Sequence, residues 1–419
     1  MSAWLESALA KADAKTASAL DSVNAIKQAA REQLHNTAWP TRKTEAWKYT
    51  SLYALSEQNF KQATLVPAKQ ANSSIEGITS LDIAFDGAAW QFDKEQLSSV
   101  SGLNITLLND SDILPQGFAT IKPAHHLFGR LNDALFDDAL LITVDEGVSV
   151  KPVIRLLVSN SDQLEQHVRI FVSVAENAEV TVLEQVEGTA SSLTNSTAEY
   201  DIAAHAKLNH YRLQLQTEQS FCVGGDFFRL AEKAELNSHI VGFGSTLSRL
   251  DVDIEHAGEH TFAKMNAIYL LDGEEHFDLH STIEHAVPNG TTDENVRGIV
   301  ADRAQAVFNG RIHIHRDAQK TLAELNNRNL LLSRRAEINT KPELEIYADD
   351  VRCAHGATVA EIDSGALYYL TSRGISRADA LVMLNFGFVN ELVDQMPDES
   401  VADFMREKLH QRFSQMKPE

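Results

Sequence analysis

"AENAEVTV" beginning at Ala175, "AAHAKLNH" at Ala203 and "AEKAELNS" at Ala231 follow one another at intervals of 28 residues. Each opens on an A-x-x-A corner of small residues and runs into a stretch where apolar and polar side chains alternate. A recurrent unit of this kind suits a stacked β solenoid, in which each turn buries its inner face only against its neighbours. "ADRAQAVF" at Ala301 repeats the corner later, out of strict phase. A β sandwich with coincidental spacing is the competing architecture.

Outward from the repeat, residues from about 80 to 360 keep the same texture. "ALLITV", "VIRLLVS", "VRIFVSV", "AEVTVLEQV", "AIYLL", "RIHIH" and "ELEIYADDV" are strands by period and by β-branched content. The flanks are helical. Residues 5 to 35 carry Leu5, Leu9, Ala12, Leu20, Val23, Ile26, Ala30 and Leu34 at helical spacing with no glycine or proline inside, which predicts one helix stopped by Pro40. Beyond 364, a capping box from Ser376 to Asp379 opens one helix, and Pro397 separates it from a second. In that second helix Val401, Phe404, Met405 and Leu409 form an apolar stripe, which either packs on its own domain or docks a partner. The expected division is an N-terminal helical region (1–80), a β core (81–363) and a C-terminal helical region (364–419).

The chain has 419 residues, 43% of them apolar, enough for a large core. Lys and Arg number 37 against 59 Asp and Glu, a formal charge of −22 that repels a phosphate backbone, and no local basic patch overrides it. Nucleic acid is therefore not an expected partner. The N-terminus lacks the continuous apolar core of a signal peptide, and no run of ~18 apolar residues occurs, so a soluble cytoplasmic protein is expected. Cys222 and Cys353 are too few for a disulfide framework or an all-cysteine metal site.

No P-loop, G-x-S-x-G elbow, H-E-x-x-H or C-x-x-C occurs, which disfavours the familiar nucleotide and ester hydrolases. "GFGSTL" at Gly242 lacks the third glycine of a dinucleotide fingerprint. His313 and His315 share one face of a strand and could share a metal. With no carboxylate or thiolate beside them in sequence, the solvated outer face of a solenoid turn is the better reading. Cys353 and His355 stand in the same i, i+2 relation after a good strand. A thiolate and an imidazole on one face suit iron or zinc, but a structural cysteine beside a histidine fits equally well. Asp251, Asp253 and Glu255 alternate onto one face and could mimic the carboxylates of a polysaccharide-active β-helix enzyme. A homodimeric metal-binding adaptor is a further alternative.

The stretch "NNRNLLLSRRAEINTKPELEIYADDVRCAHGATVAEIDSGALYYLTSRGI", Asn326 to Ile375, closely resembles the SufB/SufD family of iron-sulfur cluster assembly proteins, and "WPTRKTEAWKYTSL", Trp39 to Leu52, agrees with it. The sequence sides with the SufD branch: Asn327 stands where the SufB branch carries a cluster-building cysteine, and C-x-H-G-A-T is the SufD form of the later motif. The resemblance implies a right-handed parallel β-helix core between N- and C-terminal α-helical regions, and a non-catalytic scaffold role. Implied partners are SufB, paired through the β-helix, and the ATPase SufC, docked on the C-terminal helices. A homodimer is the implied alternative when the chain is alone. His355 is implied as a ligand to a nascent iron-sulfur cluster shared with SufB, with Cys353 beside it. SufC dimerisation on ATP would then strain the pair and open the site. Reduced flavin is associated with the assembled complex, although no flavin motif occurs here.

Overall fold

The A-x-x-A corners are the hinges of the fold. In the computed structural model, which describes residues 3–14, 17–62, 75–87, 89–160, 162–188, 191–216 and 219–416, Asn177, His205 and Lys233 adopt φ of 58°, 59° and 55°. This left-handed conformation at the third corner position turns the chain from one sheet to the other. The N–H groups of these residues donate along the stack to Ala204, Glu232 and Glu259 carbonyls at 3.1, 2.9 and 2.8 Å. The fourth position, Ala178, Ala206 and Ala234, is buried, and only a small side chain fits where successive turns meet. The corner at Ala301 is out of phase because it lies on the opposite side of the solenoid, leading from Thr291–Val300 of the second sheet to Gln305–Ile314 of the first, and its left-handed residue is Asp302.

Between corners, strands alternate between two parallel sheets. One sheet runs from Leu140–Val144 through Leu164–Val174, Leu193–Ile202, Phe221–Leu230, Leu247–His256, His276–His285 and Gln305–Ile314 to Glu337–Ile346. The other runs from Ser80–Phe85 through Val153–Asn160, Glu179–Gly188, Lys207–Leu215, Glu235–Gly242, Phe262–Leu271 and Thr291–Val300 to Leu322–Leu331 and Arg352–Ala360. Glu179 pairs with Lys207 and Lys207 with Glu235, so the 28-residue interval is the rise of one turn. Pairing of each strand with the next but one, in parallel, is a solenoid and excludes the antiparallel sandwich. Inward residues such as Val182, Leu208, Leu236, Met265, Leu279 and Phe308 form one continuous core.

The two ends of the solenoid differ. At the first, Trp90–Phe92 and Leu103–Leu107 fold back antiparallel on the sheets and lay Phe85, Trp90, Leu97 and Leu103 over the core. At the other, Glu337–Ile346 and Arg352–Ala360 pair only with the preceding turn, and all their residues are half-buried or exposed.

Helices cover the outer faces. Ala3–Asp13, Asp21–Asn36 and Leu127–Leu135 lie on the first sheet, where Trp4, Leu9, Phe128 and Leu131 pack on Phe221, Val223 and Leu247. The single N-terminal helix expected over 5–35 is thus two helices, and residues 17–20 between them are not helical. A straight rod cannot serve both its clusters: Leu5 and Leu9 join the tryptophans, whereas Val23 packs with Phe118, Phe136 and Phe171. The corner is closed by Ser18 N–H to Asn24 Oδ1 (2.8 Å) and Asn24 Nδ2 to the Ser18 carbonyl (2.9 Å).

On the second sheet lie Arg377–Val393 and Glu399–Gln415. Ser376 caps the former as expected, its Oγ accepting from Asp379 N–H at 3.1 Å. Val401, Met405 and Leu409 are buried on Val241, Ile268, Leu270 and Ile299. The stripe therefore packs on its own chain. Among the described residues no helix is long and apolar enough to cross a membrane.

Candidate metal centre at the open end of the solenoid

In the penultimate strand of the second sheet, Ala323, Leu325, Asn327 and Asn329 are buried while Glu324 and Arg328 are exposed, so the odd positions face inward. The last strand pairs Ala323 with Cys353, Leu325 with His355 and Asn327 with Ala357. Side chains paired across a parallel ladder share a face. Cys353 and His355 therefore share the inward face at the last turn, above which nothing is stacked among the described residues. Cys353 is half-buried against the core. Burial pushes its thiol above the ordinary cysteine value, so it is protonated at neutral pH and becomes a ligand only when a metal displaces the proton. His355 is exposed at the mouth.

Beneath them the interior is polar. Asn327 Oδ1 accepts from Asn329 Nδ2 (2.7 Å) and Thr340 Oγ1 (2.8 Å), and the Tyr269 hydroxyl donates to Asn329 Oδ1. Asn327 Nδ2 has no partner among the described residues. One turn deeper, Glu294 accepts from Ser281 at 2.5 Å, and burial pushes its carboxyl up to about 7.

A second polar cluster lies in mid-solenoid. Arg212 Nη1 donates to Glu184 Oε2 (3.1 Å) and Asp226 Oδ1 (2.6 Å), and Tyr200 and His210 contact Glu184 Oε1 at 2.5 and 3.2 Å. All five are fully buried. Burial works against Glu184, but Arg212 and His210 outweigh it and hold its carboxyl below the ordinary range; burial raises Asp226 to about 7. Pattern reading overlooked both clusters, although a signal was present. In "AEVTVLEQV" the inward set Val180, Val182, Glu184, Val186 contains a carboxylate where the period demands an apolar residue.

The other candidate residues lie on the outer face of the first sheet. Asp251 is held by Arg249 (2.9 Å) and His126 (3.1 Å); although burial opposes ionisation, the Arg249 guanidinium and the His126 contact keep its carboxyl well below the usual range. It is not free to act on a substrate. Asp253 and Glu255 line a cleft of about 550 Å³ with Ile26, His125, Glu284 and Arg311. His313 and His315 are on the outer face as expected, but the strand before them brings Glu284 alongside.

Residues 157–388 match the family model described as SUF system FeS cluster assembly, SufBD core domain. The chain belongs to the SufB/SufD family. Among its SufB/SufD relatives, the iron-sulfur cluster assembly protein SufD of Escherichia coli is 31% identical over 91% of both chains. A SufBD family protein of Synechocystis is 29% identical over 91% of this chain and 89% of its own. The SufB of Bacillus subtilis is 24% identical over 72% of this chain and 66% of its own. The affiliation with the SufD branch read from Asn327 and the Cys353–Thr358 motif agrees with these relatives.

Proposed function

We propose that this chain is a scaffold subunit, not itself an enzyme, of an iron-sulfur cluster assembly complex, and that its open end is where it pairs with a SufB-type partner. The observation that carries this reading is the mouth of the solenoid. Among the described residues, two unpaired sheet edges and an uncovered core surround His355 and Cys353, which supply half a ligand set and need a second chain to complete it. The nascent cluster is cargo held between the two chains. Imidazole holds iron less firmly than thiolate, so a cluster resting on His355 stays transferable.

The C-terminal region 364–419 would dock a SufC-type ATPase. Its buried stripe is already engaged, which leaves the outer surface of the helices, with Tyr368, Tyr369 and Met383 at 75%, 58% and 53% exposure, as the docking face. ATP-driven closure of the ATPase would pull on these helices and open the mouth to iron and sulfur. Residues 1–80 and 81–363 would then be the cover and the rigid core of a cytoplasmic machine, with a homodimer forming when the partner is missing. Reduced flavin enters only as a component of the assembled complex.

The test is co-expression with the SufB-type and SufC-type partners, anaerobic purification after sulfur loading, and assay of iron and acid-labile sulfide. His355→Ala should assemble normally and carry little cluster. Wild-type cluster content in that variant would make the motif structural and end the ligand reading.

A further inference from the structure

His313, His315 and Glu284 form a cluster that the role of the mouth does not use. His313 pairs with Glu284 across the ladder, and Nδ1 lies 3.3 Å from Glu284 Oε1; Nε2 of His315 lies 3.7 Å from Glu284 Oε2. One ligand atom from each residue falls within 4.8 Å of the other two. A first-row dication with bonds of about 2.1 Å needs ligand atoms roughly 3–3.5 Å apart, which small side-chain rotations supply.

The surroundings favour a cation. Arg311, whose Nη1 is 3.7 Å from Glu284, is engaged bidentately by Glu345 at 3.1 and 2.8 Å. Two carboxylates against one guanidinium leave an excess negative charge beside two imidazoles. The Tyr347 ring packs edge-on against His313, with centroids 5.5 Å apart, and restrains its orientation. All three ligands are partly exposed, so an ion reaches them without opening the solenoid.

We infer that Glu284, His313 and His315 form a binding site for a divalent transition metal of the iron(II) class, with the remaining coordination positions open to solvent. Two imidazoles and one carboxylate with open positions are a donor set suited to that class and too nitrogen-rich for magnesium or calcium. The inference does not depend on the role of His355.

The test uses the purified full-length chain under anaerobic conditions, with cobalt(II) as spectroscopic probe and iron(II) as competitor, in a Cys353→Ala/His355→Ala background that removes the mouth. That background should bind a single cobalt with visible d–d bands, and iron(II) should displace it while magnesium does not. His313→Ala/His315→Ala should weaken binding at least about tenfold and abolish the bands. Glu284→Gln, which changes no volume, should weaken binding with little effect on the fold. An unchanged spectrum and affinity in the double histidine variant, or no cobalt bound by the background, would overturn the site.

Discussion

Asp253 shows what one side chain contributes beneath a covering segment. Burial first, and the neighbouring Asp251 second, push its carboxyl from 3.8 up to about 8. Between those values the folded chain holds a proton that the unfolded chain has released. Stability contributed by this group is therefore complete at acid pH and is lost as pH rises through the window. Asp253→Asn cannot ionise, and urea midpoints measured across that range should fall less steeply in the variant than in the parent. Parallel slopes would assign the pH dependence to the other raised carboxyls, Asp226, Glu275 and Glu294. Residues of this sort were the least legible part of the sequence. Alternation placed Asp251, Asp253 and Glu255 on one face, but only the tertiary fold decides that Asp251 is locked by Arg249 and that Asp253 is half-buried in a cleft. Likewise Glu284 lies 29 residues before His313, a separation that acquires meaning only once the turn length is known.

At the scale of the element, the corner is the unit on which the fold depends. Lys233 is exposed and adopts φ 55°, so its side chain contributes little packing and its backbone conformation dominates the effect of substitution. A β-branched residue there meets the steric penalty of the left-handed region. Lys233→Val should destabilise by about 1–2 kcal/mol, whereas Lys233→Gly should be neutral or slightly stabilising. Equilibrium unfolding of the two variants checks this, and equal losses in both would show that the side chain rather than the backbone matters. The strands and the repeat were legible because period-2 alternation and a fixed interval report parallel stacking directly. The break in the N-terminal helix was not. Helical periodicity across residues 5 to 35 cannot reveal that Leu9 and Val23 belong to separate clusters.

For the whole molecule, the important asymmetry is between the closed and the open end. Arg352 N–H donates to the Thr321 carbonyl at 2.9 Å, so by parallel alternation Cys353, His355, Ala357 and Val359 point their N–H groups away from the solenoid. Such an edge invites strand addition. Ala357→Pro removes one outward donor and no ladder bond, and should leave the melting temperature within about 2–4 °C of the parent. It should also reduce the fraction of chain that co-purifies with a SufB-type partner. Undiminished co-purification would place the pairing surface elsewhere.

The corners have a consequence for how such a chain can lengthen. Because each turn repeats the one beneath it, inserting a complete turn in mid-solenoid would move the mouth by only about 4.8 Å along the axis and leave its lining unaltered. A partial insertion is tolerated only at the corners, where turn length already varies from 27 residues between Glu235 and Phe262 to 31 between Thr291 and Leu322 without loss of register; inside a strand it would rotate the side chains that follow. Chain length is therefore free to drift by whole turns or at the corners, while the chemistry at the last turn stays fixed.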